Sequence, residues 1–383
     1  MSESEPVVSQ ESPAPTSSPT ESAGLVGVSG WSGVTADQVE RFRRTLMALA
    51  AGLIILVAGV YLLREFAGLI QQIVAAVFLT YLLNPIRQSL SAKGLPTWLA
   101  ITVTILGLGL ITLMLTVVLQ VGLADLSTKT PQYLGTLNDK LHRWSESERL
   151  PGLVRDTLAG MMANDQPILQ RNLGLARSAI ETGFKLISNA VVVLIYLIFL
   201  MAESGGLNRR IDEAMTPSRA SETRRVLSEI NHAVSGYLWV KTFVSAIVGV
   251  ATTLLARWYN LDDPLVWGML AFFLNFVPYL GSVVAIALPT MLALIKFDTA
   301  GPAIQIALLL FVVHNIVGYV IEPILTGRRL DLSPSLVIIS LGFWAWIWGP
   351  AGLVLAVPLM SVIKIVMQHM AATRGAAMLM SNG

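Results

Sequence analysis

The sequence of 383 residues contains no cysteine and carries little charge. Without a thiol there is no disulfide, no cysteine nucleophile and no thiolate metal site. Asp, Glu, Lys and Arg make up 13% of the residues, whereas soluble domains carry about 25%. So little charge cannot cover a water-facing surface, and a mean hydropathy of +0.67 makes a lipid bilayer the expected solvent. The net charge of +2 builds no field for nucleic acid, so no nucleic-acid partner is expected. Also missing are the GxxxxGK[ST] phosphate loop, the HExxH zinc motif and the nucleophile elbow. His142, His232, His314 and His369 are dispersed along the chain and suggest no metal cluster. The expectation is therefore no catalytic residue, no cofactor and no resident metal, with ATP-driven transport within this chain disfavoured.

What the chain has is apolar runs, and their interruptions organise it. Residues 1–35 are rich in Ser, Pro, Glu and Thr, a composition that cannot offset ordering entropy and reads as a disordered tail. Spans are expected at Thr45–Leu63, Phe66–Leu83, about Leu99–Leu123 and Leu186–Met201, since about 20 apolar residues cross a hydrocarbon core of roughly 30 Å. The second span should stop at Asn84–Pro85, because proline disfavours helical geometry in the residue before it. Residues 36–202 then form an N-terminal membrane scaffold. Within it, 125–185 is a water-exposed, helical segment holding eight Lys/Arg and seven Asp/Glu. Residues 203–235 are rich in arginine with one amphipathic stripe, and a fifth span follows at about Gly236–Ala256. Lys241, near its start, is expected to extend its ammonium back to the membrane surface.

Arg41, Arg43 and Arg44, then Arg87 and Lys93, then Arg209–Arg225 all fall after an even number of crossings. The positive-inside rule puts them, and both termini, in the cytoplasm, with 125–185 outside.

The stretch Pro264–Ile295 is about 32 residues, roughly 48 Å as one helix, too long for one crossing and too short for two. It is broken at Asn275-Phe-Val-Pro278-Tyr-Leu-Gly281. Pro334–Val366 has the same anatomy, broken at Trp348-Gly349-Pro350-Ala351-Gly352. The two also resemble each other: GSVVAIALPTMLALIK (281–296) matches GLVLAVPLMSVIK (352–364), and Pro264, Pro278 and Pro289 answer to Pro334, Pro350 and Pro358. Each follows a full span, 236–256 or about 304–321, so an odd number of crossings inverts the second copy. The expected architecture is all-α and polytopic with about eight hydrophobic segments. Its C-terminal half, 236–366, is an inverted repeat of span plus re-entrant hairpin, followed by a cytoplasmic tail at 367–383. Broken helices of this kind place polar half-helix ends at the bilayer midplane of transporters. Eight ordinary spans with proline kinks are the plainer alternative.

Polar residues inside spans are costly and so are functional candidates. Asn275 either binds substrate or caps the broken helix. Pro278, Gly281, Gly349, Pro350 and Gly352 shape the breaks, and the amides and carbonyls they expose can line a path. His314, Asn315, Tyr319 and Glu322 form the best polar stripe. Glu322 either carries a proton or cation or pairs at the interface with Arg328 or Arg329.

YLLNP (81–85), NFVPYLG (275–281), HNIVGYVIEPILTGRRLDLSP (314–334) and GPAGLVLAVP (349–358) resemble the AI-2E family of bacterial transporters, the PerM-like permeases. The resemblance runs from about residue 45 to 366. It implies an inner-membrane transporter or exporter of a small polar solute such as autoinducer-2, or of an ion by sodium–proton exchange. It also implies ring-like homo-oligomers, pentamers among them. It does not choose the substrate, and a passive channel or a non-transporting scaffold remains open beside it.

Overall fold

The computed structural model describes residues 36–145, 152, 190–326 and 332–381. The tail 1–35, most of 125–185, and Arg328 and Arg329 lie outside the described residues. Among the described residues there is no strand; every regular element is a helix. That is the form in which backbone satisfies itself in lipid. The chain divides into two compact units, Met1–Gly59 and Val60–Gly383. The described part of the first is the beginning of α1 (Ala36–Glu65). There Arg41 pairs with Asp37, and Arg43 and Arg44 pair with Glu40. The consecutive residues Leu53 to Val57 are all exposed, so this helix is apolar all round.

The second unit opens with α2 (Ala67–Ala92) and α3 (Thr97–Ser145). Helix α2 does not end at Asn84–Pro85 as expected but runs through Pro85. Proline removes the amide that would pair with the carbonyl four residues back, here Tyr81. That carbonyl accepts from the Ser235 hydroxyl instead, at 3.0 Å. With its orphan acceptor satisfied by another helix, α2 continues. Helix α3 has 49 residues, about 74 Å, so it reaches well beyond any membrane core of roughly 30 Å.

Helices α4 (Ala190–Glu203) and α5 (Leu207–Ala214) meet at a bend of 61°. The amphipathic stretch and the fifth span are one helix, α6 (Pro217–Trp258), of 42 residues. Against it lies α7 (Pro264–Leu274), whose Gly268 faces Gly249. A Cβ on Gly249 would sit 2.8 Å from the Gly268 carbonyl oxygen, so small residues let the two backbones touch.

Helix α7 and α8 (Leu280–Lys296) form hairpin 1. Their 11 and 17 residues rise about 16 and 26 Å, neither a full crossing. Ala271 and Ala285 share one buried cluster, and Trp267, Leu292 and Ala293 another. Then come α9 (Ala300–Ile316), a π turn at Val317–Ile321 and α10 (Glu322–Thr326).

Helix α11 (Pro334–His369) is long and apolar enough for a span, yet it folds back on itself. Gly349 leaves helical geometry at φ 61°, ψ −141°. The Ser340 hydroxyl donates to the Ala356 carbonyl at 3.1 Å. In a straight helix those residues would stand about 24 Å apart. This is hairpin 2, and it repeats hairpin 1 in detail. A Cβ on Gly281 would lie 1.7 Å from the Leu274 carbonyl oxygen, and one on Gly352 1.9 Å from that of Trp344. Each break thus needs a glycine where the second limb crosses the end of the first. Pro289 and Pro358 are both fully buried. The chain closes with α12 (Arg374–Leu379), whose following Met380 carbonyl accepts from the Ser333 amide at the start of hairpin 2.

Hairpin 2 packs on the α1–α2 corner. Trp348 Nε1 donates to the Leu63 carbonyl at 3.0 Å, and Gln71 Nε2 to the Trp348 carbonyl at 3.3 Å. Trp344 and Trp348, four residues apart, are buried together, while Trp346 is exposed and stacks under Arg64.

Candidate functional site

The polar interior of the second unit is built on α6. Lys241 and Ser245 sit one turn apart on it, both buried among Val240, Val244 and Val248. Lys241 does not extend to the membrane surface as its sequence position suggested. Only 6% of its side chain is exposed, and its Nζ donates to both Glu322 oxygens, at 2.8 and 3.0 Å. Burial of a charge is tolerable only with such a partner, so the ion pair fixes α10 to α6.

The π turn explains why Glu322 can reach. Eight α-helical residues at about 100° each would leave Glu322 about 80° away from the direction of His314. One extra residue absorbed in the π turn brings the two within about 20°. His314, Val317 and Glu322 therefore face inward, and Tyr319 turns outward with 74% of its surface exposed. The sequence stripe thus separates: His314 and Glu322 share the inner face and Tyr319 leaves it. Asn315 bonds the Phe311 carbonyl of its own helix at 2.7 Å. The His314 Nδ1 pairs with the Leu310 carbonyl at 2.9 Å, and its buried Nε2 has no hydrogen-bond partner.

The tip of hairpin 1 meets α6 beside this pair. Asn275 caps the C-terminus of α7, and its Nδ2 donates to the buried Ser245 hydroxyl at 3.0 Å. Beyond it the chain turns sharply. The Leu280 amide donates to the Pro278 carbonyl at 2.7 Å across Tyr279, which sits at φ 62°, ψ −56°. This is a strained three-residue turn with a non-glycine at its centre. Strain of that kind persists where the surroundings hold it in place. Here Gly281 is pressed on the Leu274 carbonyl and Asn275 is tied to α6.

The site thus brings Asn275, Ser245, Lys241 and Glu322 onto one stretch of α6. The tip of hairpin 2, with Gly349 and Pro350, makes its contacts with α2 and the α1–α2 corner. Two members of the constellation, Lys241 and Ser245, were not among the sequence candidates. A lysine five residues into an otherwise apolar span was the available signal. Among the described residues no group of His, Asp or Glu could hold a metal ion.

Residues 51–372 match the AI-2E family transporter profile. The chain belongs to the AI-2E family. Among its relatives, the AI-2 transport protein TqsA of Escherichia coli is 27% identical over 334 residues, covering 86% of this chain and 93% of TqsA. A sodium-lithium/proton antiporter of Halobacillus andaensis is 24% identical over 332 residues, covering 82% and 92%. The match spans both hairpins and every polar residue of the site, so this AI-2E chain is a multi-pass membrane transporter.

Proposed function

We propose that this protein is a secondary transporter of the bacterial inner membrane, moving a small polar solute or an ion by alternating access. The observation that carries this reading is the set Lys241–Glu322 and Ser245–Asn275, gathered on α6 beside the tip of broken hairpin 1 in apolar surroundings. Polar groups and broken backbone persist at membrane depth where they line a path. On this reading the repeat half, 236–366, carries the path and 36–202 supports it. Both termini are cytoplasmic, from the arginine distribution, and a homo-oligomer is the expected assembly. An autoinducer-2-like solute is the first cargo to test, because a relative is named an AI-2 transport protein.

Cation–proton exchange is the second reading. The buried Lys241–Glu322 pair favours it, since a cation or proton that occupied Glu322 would displace the ammonium. A relative named as a sodium-lithium/proton antiporter agrees. The test is flux into proteoliposomes of autoinducer-2 and, separately, of radioactive sodium under a pH gradient. Saturable flux of one probe, reduced in Asn275→Ala and Glu322→Gln, supports the corresponding reading. Flux that never saturates favours a channel, and no flux of either probe removes the proposal.

A further inference from the structure

Helix α3 extends far past the membrane, and the extension does not stand alone. Three contacts tie it to hairpin 1. At Gly122 the helix runs so close to α7 that a Cβ would lie 2.0 Å from a Val266 methyl. Two to three turns on, Tyr133 donates its hydroxyl to Asp262 at 2.7 Å, and Lys129 lies 3.9 Å from both Asp262 and Asp263. These aspartates are where the chain enters hairpin 1. Two further turns on, the Lys140 ammonium donates to the carbonyls of Leu294, at 3.0 Å, Ile295, at 2.8 Å, and Phe297. That is where the chain leaves hairpin 1.

The chemistry of the last contact is specific. The final carbonyls of a helix lack intrahelical donors and carry the negative end of its dipole. An ammonium has three donors, and here all three are used on the end of α8. Lys140 is only 3% exposed, so these carbonyls are what satisfies its charge. Lys296 closes the base from the other side, with its Nζ 3.1 Å from Asp262 Oδ1 and 2.6 Å from the Asn260 carbonyl.

We infer that hairpin 1 and residues 122–140 of α3 form one mechanical unit, and that Lys140 is the positioning residue that holds the exit limb of the hairpin. This goes beyond the proposed function by placing a boundary within the moving machinery: the far stretch of α3 travels with hairpin 1 rather than with the support. Only the flux measurements below rest on that proposed function.

The chain has no native cysteine, which makes a direct test simple. Gly122→Cys and Val266→Cys would place Cβ atoms about 3.5 Å apart, at the near edge of the disulfide range of about 3.5–4.5 Å. In native membranes treated with a mild oxidant, this pair should cross-link rapidly. Adding Lys140→Met should slow cross-linking at least about fivefold, as three carbonyls lose their donor, while Lys140→Arg keeps it within about twofold. If the methionine variant does not assemble, Lys140→Gln takes its place under the same criterion. In proteoliposomes the cross-linked protein should carry autoinducer-2 or sodium within about twofold of the reduced protein. Two results overturn the inference. One is a loss of flux beyond about tenfold on cross-linking that reductant restores, meaning that hairpin 1 slides along α3. The other is an unchanged cross-linking rate without Lys140. If the cysteine-free protein carries neither probe, the transport reading fails, and cross-linking alone decides the mechanical unit.

Discussion

The Ser235 hydroxyl donates to the carbonyl of Tyr81 at 3.0 Å, and Pro85 is the reason that carbonyl is available. The bond joins α2 to α6 at the one place in α2 where the helical ladder is open. Ser235→Ala should lower stability by about 1 kcal/mol, the lower end for an acceptor left unpaired, because this bond is only partly buried. Pro85→Ala restores an amide to that position. The double variant Pro85→Ala/Ser235→Ala should therefore unfold closer to the parent than Ser235→Ala alone. Thermal unfolding in detergent measures both, and strict additivity would show that the two residues are not linked.

The Lys241–Glu322 pair gives a second cycle. Lys241→Met leaves a carboxylate with no cation against it, and removal of one partner from a buried pair costs about 3–5 kcal/mol. Glu322 is 24% exposed, so water reaches part of it and the lower end of that range applies. Glu322→Gln strands the ammonium in turn. Lys241→Met/Glu322→Gln should be more stable than either single change, while flux stays low. A double variant as unstable as the sum of the singles would argue against the pairing.

The hairpin glycines divide by what surrounds them. Gly281→Ala and Gly352→Ala each drive a methyl into a backbone carbonyl, at 1.7 and 1.9 Å. Such a clash should destabilise by at least about 1–3 kcal/mol and disturb the tips. Gly342→Ala, with open space around it in the first limb of hairpin 2, should be neutral or slightly stabilising, by up to about 1 kcal/mol. Expression level and unfolding temperature of the three variants compare them directly.

A pH dependence is expected where α3 meets the entrance to hairpin 1. Burial, and then the hydrogen bond with Asp125, hold the Asp263 carboxyl above the ordinary carboxylate range. Asp125 is held below that range, first by its bond with Lys129. Asp263 holds its proton to a higher pH in the joined state than when the two segments are apart. Its contribution is therefore full below the ordinary carboxylate pKa, about 3.9, and fades as pH rises through the raised value. Asp125 works in the opposite sense, contributing above about 3.9 and failing as pH falls through its depressed value. The contact should be tightest near pH 4 and looser toward neutrality. Asp263→Asn cannot ionise and should flatten the neutral side. Hydrogen exchange of residues 122–140, compared with that variant at each pH, reads the effect. Equal protection at pH 4 and pH 7 would sink it.

Much of the architecture was legible because its causes are local. Prolines at 278 and 350, with glycines at 281 and 352, mark broken helices by what they do to backbone geometry, while Pro289 and Pro358 recur at matching places inside the second limbs. The match between 281–296 and 352–364 marks the repeat. Asn84–Pro85 misled because proline's effect depends on what receives the orphaned carbonyl, and Ser235 lies 154 residues away from Tyr81. Lys241 misled for a similar reason. A lysine in a span either reaches water or finds a buried partner, and only the fold brings Glu322 to it. Tyr319 left the polar stripe because a π turn, invisible to a 3.6-residue count, changed the register.

The sequence by itself determined that lipid is the solvent, that the chain is helical, and that two stretches of its C-terminal half cannot be single straight spans. Those follow from apolar content, segment length and the stereochemistry of proline and glycine, none of which needs a neighbour. Only the tertiary structure decided that Lys241 pairs with Glu322, that Asn275 is tied to Ser245, and that Lys140 holds the end of hairpin 1. A buried charge or an orphan carbonyl must be satisfied, but any of several partners would meet that demand. Packing selects among them by bringing one within reach.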